Sequence, residues 1–279
     1  MKTVHLVYIS IILIFFTACS DDSPLSPSTD QIVIEAYLFA GEPVDDIRIT
    51  KTQSLGSEDI APPVNNATVY LIKNGLRFDL SSVSDGNGYY HYTGDDLTVD
   101  TDDAFKLFVE YEGIVATATT VVPPAPENIE ISSNTIYVPT TFSPRDNDIE
   151  NEIYRVDISW KEDSTALFYV AVENIEYDPD PIEYSSGGFG GNDSGKFGRQ
   201  FISAPRNTNE FSLTFRNINF YGEHLVRIYR VNQEYADLYT SRQQDSRDLN
   251  EPLTNIENSL GVFSAFNSGD NAIIHVFQE

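Results

Sequence analysis

The sequence predicts an all-β protein: an N-terminal immunoglobulin-like or transthyretin-like β-sandwich, then a second β-rich domain with one helix in the C-terminal half. Three observations predict it. Aromatic residues make up 12% of the 279, nearly all Tyr and Phe, and such side chains favour pleated, half-buried surfaces. Short runs of alternating polar and apolar residues recur, with turn residues roughly every 8–12 positions. A run of Val121-Val122-Pro123-Pro124-Ala125-Pro126 then divides the chain. Prolines so spaced cannot continue a sheet interior and favour a stiff polyproline II segment. The first domain is therefore expected over 31–124 and the second over 127–279.

Within the first domain, 31–40 (QIVIEAYLFA) is the opening strand, and 46–52 follows with Ile47 and Ile49 on one face. Strands at 67–73 and 76–80 flank Asn74-Gly75, and both residues of that pair tolerate the positive φ of a type I′ hairpin turn. Asp85-Gly86-Asn87-Gly88 reverses the chain before a strand at 89–93. Phe105, Leu107, Val109 and Tyr111 alternate along one face, and Glu112-Gly113 turns the chain into 114–122. The second domain is less regular, with strands expected at 128–138, 153–160, 166–176, 197–204, 210–217 and 223–231. Asn232 is a good helix N-cap, and Tyr235, Leu238 and Tyr239 repeat at helical spacing. That helix is expected over about 232–247. Strands at 261–266 and 272–277 finish the chain around an Asn267-Ser268-Gly269-Asp270 turn. No internal repeat of useful length is present, which excludes a solenoid.

The formal charge is −26. Such a field repels nucleic-acid phosphates, so no nucleic-acid partner is expected, and it argues against anionic headgroups as direct partners. It suits solubility, loose cation binding or a basic partner.

The first 22 residues, MKTVHLVYISIILIFFTACSDD, identify a location. Lys2 is a short positive n-region, 6–16 an apolar h-region, and Thr17-Ala18 places small residues before Cys19. This is a cleavable signal peptide over 1–18, too short to span a membrane. Cys19 resembles the acylated cysteine of a bacterial lipobox, with Phe16 where lipoboxes usually carry Leu; an ordinary signal with an incidental cysteine is the alternative. Ser20, Asp21 and Asp22 resemble the acidic export signal that follows the acylated cysteine in surface lipoproteins of the Bacteroidota, or else simply begin a solvated tether. Residues 19–30 then form the lipidated, flexible leash, and acyl chains at about 0.8 kcal/mol per buried methylene hold it in the membrane. Cys19 is the chain's one cysteine, so once acylated it leaves no thiol for a disulfide, a thiolate metal site or a nucleophile.

Few residues suggest chemistry. Residues 190–197, GGNDSGKF, approach a phosphate loop but place Phe197 where the magnesium-binding Ser or Thr belongs, and the continuation reads as a strand. The stretch 185–198 is better read as a long Gly-rich hairpin loop. Its Gly187, Gly188, Phe189, Gly190, Gly191 and Lys196 are the candidate partner-binding residues, since long loops on rigid scaffolds often bind partners. Acidic clusters at 95–103 and 146–152 lack EF-hand spacing and read as solvated turns. His91, His224 and His275 have no helical-spacing partner, so no metal site is predicted. There is no G-x-S-x-G or H-E-x-x-H motif, and no cofactor is implied. Trp160, the one tryptophan, is read as a core anchor rather than a ligand-stacking platform.

Four places carry a resemblance: the Cys19 lipobox leading into IVIEAYL; VNNATVYLIKNG before a reversal ending in GYYHY; the proline linker followed by ISWKEDSTALFYVAVE; and the helix VNQEYADLYTS with the ending NIENSLGVFSAFN. Together these resemble the Bacteroidota lipoprotein family known as domain of unknown function 4249. The resemblance implies an outer-membrane lipoprotein, often encoded beside a TonB-dependent transporter, with no established catalytic activity and no catalytic residues to carry over. The expectation is a noncatalytic, surface-exposed, lipid-anchored accessory subunit of such a transporter or another outer-membrane barrel. Two alternatives stand beside it. One is a stand-alone lipoprotein capturing glycans or peptides on aromatics such as Tyr89, Tyr90 and Tyr92. The other is a surface hydrolase with an unrecognised site.

Overall fold

Alternation of side chains organises the N-terminal half. In this computed structural model, residues 31–53, 60–84, 86–140, 151–161, 165–183, 198–242 and 254–279 are described, and they form sixteen strands and one α-helix. The chain is all-β. The first seven strands are β1 (Ile32–Phe39), β2 (Ile47–Lys51), β3 (Thr68–Lys73), β4 (Leu76–Ser82), β5 (Tyr89–His91), β6 (Ala104–Tyr111) and β7 (Ile114–Val121). In β6 the residues Phe105, Leu107, Val109 and Tyr111 all point inward, as their period-2 spacing predicts. They meet Ile34 and Leu38 of β1, Ile49 of β2 and Leu71 of β3 in the first core. Each such side chain contributes about 1.5–3 kcal/mol on burial. Asn74 at φ 53° and Gly75 at φ 79° make the tight hairpin between β3 and β4.

The remaining strands are β8 (Glu127–Ile131), β9 (Thr135–Val138), β10 (Arg155–Lys161), β11 (Leu167–Asn174), β12 (Gln200–Ile202), β13 (Glu210–Thr214), β14 (Gly222–Val231), β15 (Leu260–Ser268) and β16 (Ala272–Gln278), with α1 (Gln233–Arg242) between β14 and β15. A three-stranded sheet runs β13-β10-β8. It packs over β11, β14, β16 and β9 of a 13-stranded sheet, enclosing a second core around Val156, Ile158, Phe168, Phe215, Ile228 and Ile274.

The structure departs from the sequence reading at three places. The strand expected at 128–138 is two strands. β8 pairs with β10 in the small sheet and β9 pairs in parallel with β16 in the large one, so the chain changes sheets at 132–134. Ser132 and Ser133 make that crossing with hydroxyls that accept from the backbone N–H groups of Asp157 and Thr135. Second, Asn232 stands directly before α1, where a cap is expected, but its side-chain amide also reaches across to the N-terminal half. Its Nδ2 donates to Thr120 Oγ1 at 3.0 Å and to the Val121 carbonyl at 2.8 Å, tying the start of α1 to β7. The expected helix end near 247 lies outside the described residues.

Third, 267–270 is not a reversal. β15 and β16 both run antiparallel to β14, with Val231↔Phe266 and Tyr229↔Ser268 in one register and Val226↔Ala272 and Gly222↔Val276 displaced from it by one residue. The chain continues straight on through a bulge. Asn, Ser, Gly and Asp suit a turn by composition, but they equally suit the single extra residue that a bulge needs.

The straight path carries β15 across the seam. It lies parallel to β1, from Val33↔Leu260 to Phe39↔Phe266, and Phe263 and Ala265 complete the N-terminal core. The 13-stranded sheet is thus continuous past the proline linker, whose Pro123 carbonyl accepts from the buried Asn267 amide at 2.8 Å. On the opposite face of this junction Tyr37, Phe39, Tyr169, Tyr229, Tyr235 and Phe266 form an aromatic layer, with Tyr235 of α1 edge-on to Phe266 at 4.8 Å.

Candidate functional site

The predicted site residues Cys19, Ser20, Asp21 and Asp22 lie outside the described residues, as do Gly187, Gly188, Phe189, Gly190, Gly191 and Lys196. Of the acidic stretches, 95–103 is organised by a lysine of the chain itself. The Lys73 ammonium pairs with Asp103, approaches Asp100 at 3.6 Å and donates to the Thr98 carbonyl at 2.7 Å. Asp96 accepts from the Tyr92 hydroxyl. Among the described residues, no group of three or more His, Cys, Asp or Glu could hold a metal ion, and no helix is long and apolar enough to cross a membrane.

The three tyrosines near β5 do not share one cleft. Tyr90 is 1% exposed, and its hydroxyl donates to the Val64 carbonyl at 3.0 Å and accepts from the Ala67 N–H at 2.9 Å. Tyr89 sits under the Arg48 guanidinium, and Tyr92 packs edge-on against Phe78 at 5.6 Å. The aromatic layer at the seam is equally structural. Burial pushes the Tyr169 hydroxyl far above its ordinary range, with Tyr235 and Tyr229 beside it adding to the effect, so it stays a neutral packing group.

His224 is buried, and its partners fix its state. Nδ1 lies 3.1 Å from the Gly222 carbonyl, which only accepts, so Nδ1 carries the proton. Nε2 then accepts from the Asn174 amide at 3.3 Å, while Asn174 Oδ1 accepts from the Glu176 N–H. Burial pushes the His224 pKa down, against smaller upward effects from the Gly222 carbonyl and Glu176.

Among the described residues, an aromatic-lined cavity of about 510 Å³ between β12 and β13 has the geometry of a binding site. Trp160 and Phe168, with ring centroids 5.4 Å apart, line it with Phe201 and Phe211, 6.0 Å apart, and Arg206 and Tyr239 of α1 also face it. That volume falls within the range of small-ligand pockets. Trp160 is only 4% exposed, as a core anchor should be, but among the described residues its buried Nε1–H has no acceptor. Sequence reading found Trp160 and missed the cavity, because Phe201 and Phe211 belong to different sheets and no local pattern brings them together.

No curated protein matches the chain. Among solved structures it is similar to a group of domains from titin, at 10% identity and a TM-score of 0.20, over 73% of this chain and 60% of the titin chain. So distant a likeness carries no argument. The family comparison is specific: the family described as domain of unknown function, DUF4249, matches residues 20–272. It takes in the long C-terminal strand as far as the start of β16, and the chain belongs to that family.

Proposed function

We propose that this chain is a noncatalytic lipoprotein, anchored through Cys19 to the outer face of an outer membrane, where it serves as an accessory subunit of a TonB-dependent transporter or a related barrel. The supporting observation is the N-terminal sequence: an h-region ending in small residues, one cysteine, and Ser20-Asp21-Asp22 directly after it. The family match begins at residue 20, immediately beyond that cysteine. A tether rich in Pro and Ser over 23–30 then leads into β1, giving the body reach from the membrane.

Affinity purification of the tagged protein from mild detergent tests the reading. An outer-membrane barrel protein is expected in the eluate, and recovery without one overturns the accessory role. Cys19→Ala should leave the protein soluble or held as precursor, whereas unchanged membrane fractionation refutes the anchor. Replacing Asp21 and Asp22 by Ala should keep the lipid and remove protease accessibility on whole cells.

A further inference from the structure

We propose that the cavity between β12 and β13 is a peptide-binding site that takes an extended segment by strand addition, seating one aromatic or branched apolar side chain inside. The inference goes beyond the anchoring role and needs neither the lipid nor a barrel.

Backbone pairing parity carries the argument. Ser203 N–H donates to the Val170 carbonyl and Asn174 N–H to the Arg199 carbonyl, so 170–203, 172–201 and 174–199 are the bonded pairs of this ladder. The N–H and C=O groups of Gln200 and Ile202, the alternate residues, therefore face outward from β12. In β13, Trp160 N–H donates to the Asn209 carbonyl, which turns Glu210, Ser212 and Thr214 outward. At its two ends this second edge is already occupied: Glu210 bonds to the Thr208 hydroxyl and Thr214 N–H to Asn217 Oδ1. β12 and β13 are edge strands of their sheets, and Ile202, Gln200 and Ser212 are exposed. Among the described residues, nothing pairs with the outward groups of β12.

An edge so placed is a template for another strand. Side chains close most of β13, whereas among the described residues β12 is left open beside the aromatic lining. A strand laid on β12 directs alternate side chains toward the cavity. An apolar ring or branched chain would meet Phe201, Phe211 and Trp160, and a side-chain acceptor such as a tyrosine hydroxyl would give Trp160 Nε1 a partner that none of the described residues supplies. The ligand is neutral or basic, because a chain at −26 disfavours acidic segments.

Trp160 is the chain's one tryptophan and so reports on the site directly. Full-length protein in mild detergent is titrated with a dansylated peptide, acetyl-Lys-Thr-Tyr-Thr-Lys-amide bearing the label at one end, and energy transfer from Trp160 is followed. Saturable transfer is expected, with at least about tenfold weaker binding of the same peptide N-methylated at alternate amides. Ile202→Pro removes one outward N–H at an edge position that tolerates proline, and should weaken binding similarly with an unchanged melting temperature. Absence of transfer overturns the proposal. So does equal binding of the N-methylated peptide, or displacement by free p-cresol as effective as by unlabelled peptide, which would assign the cavity to small aromatics. A protein that is dimeric before addition and releases its edge only on dilution assigns β12 to a second copy and equally overturns it.

Discussion

At Gly261 the backbone holds φ at +112°, and a Cβ built there would stand 2.0 Å from the Ile34 carbonyl oxygen of the neighbouring parallel strand. The obstacle is backbone on one side and a disfavoured dihedral on the other, so no side-chain adjustment relieves it. Gly261→Ala should lower unfolding stability by more than about 2 kcal/mol, read as a shift of the urea midpoint at constant slope. His224 gives a residue-scale prediction with a sign. Above the ordinary histidine value of 6.5 the ring is neutral in both folded and unfolded chains. As pH falls through 6.5, the unfolded chain takes up a proton that the buried ring refuses, and this contribution to stability declines until the pH passes below the folded value. Protonation would also set a second N–H against the Asn174 amide, which is itself a donor. The many carboxylates change the acid response of the whole protein, so the measurement is a difference. Between pH 7 and 5 the stability of wild type should fall relative to His224→Gln, and parallel pH curves would show that His224 is not the titrating group.

The element that joins the halves is β15, and the segment before it supplies a substitute for a missing neighbour. Asn255 Nδ2 donates to the Phe263 carbonyl at 2.8 Å while Phe263 N–H donates to Asn255 Oδ1 at 2.9 Å, so a side-chain amide occupies the place of a peptide group on the free edge of the strand. Asn255→Asp keeps the shape and turns one of those bonds into two oxygens facing each other. A loss of about 1–3 kcal/mol is expected at neutral pH, shrinking in acid as the carboxyl protonates; a loss independent of pH would refute this account. Such partnerships explain what the sequence shows and what it hides. β6 and the Asn74-Gly75 hairpin are legible because period-2 burial and positive φ are local properties. β15 reads as a strand, being apolar on both faces, yet its parallel neighbour β1 stands more than 200 residues away: Ser259 Oγ donates to the Ile32 carbonyl across 227 positions. No periodicity encodes such a pairing. The bulge after β15 and the cavity wall fail for the same reason, since turn-like composition and scattered phenylalanines acquire their meaning only from the strands opposite them.

Across the whole molecule, the N-terminal sandwich is incomplete without residues from the C-terminal half. Ile256, Phe263 and Ala265 belong to its core, Thr117 and Glu257 exchange backbone hydrogen bonds, and β15 covers one edge of β1. A fragment of residues 20–126 should therefore lack a cooperative thermal transition by circular dichroism. Appending 254–268 through a flexible linker should restore one. A sharp transition in the shorter fragment would show that β15 is dispensable. The arrangement has a mechanical side. The chain enters the fold at β1, so any pull on Gln31, such as a membrane leash would exert, acts along a strand zipped to β2 on one edge and to β15 on the other. Both ladders would be loaded lengthwise, in shear, with many bonds bearing the force together instead of peeling one after another. Held through its N-terminus, the protein would resist extraction on the same side.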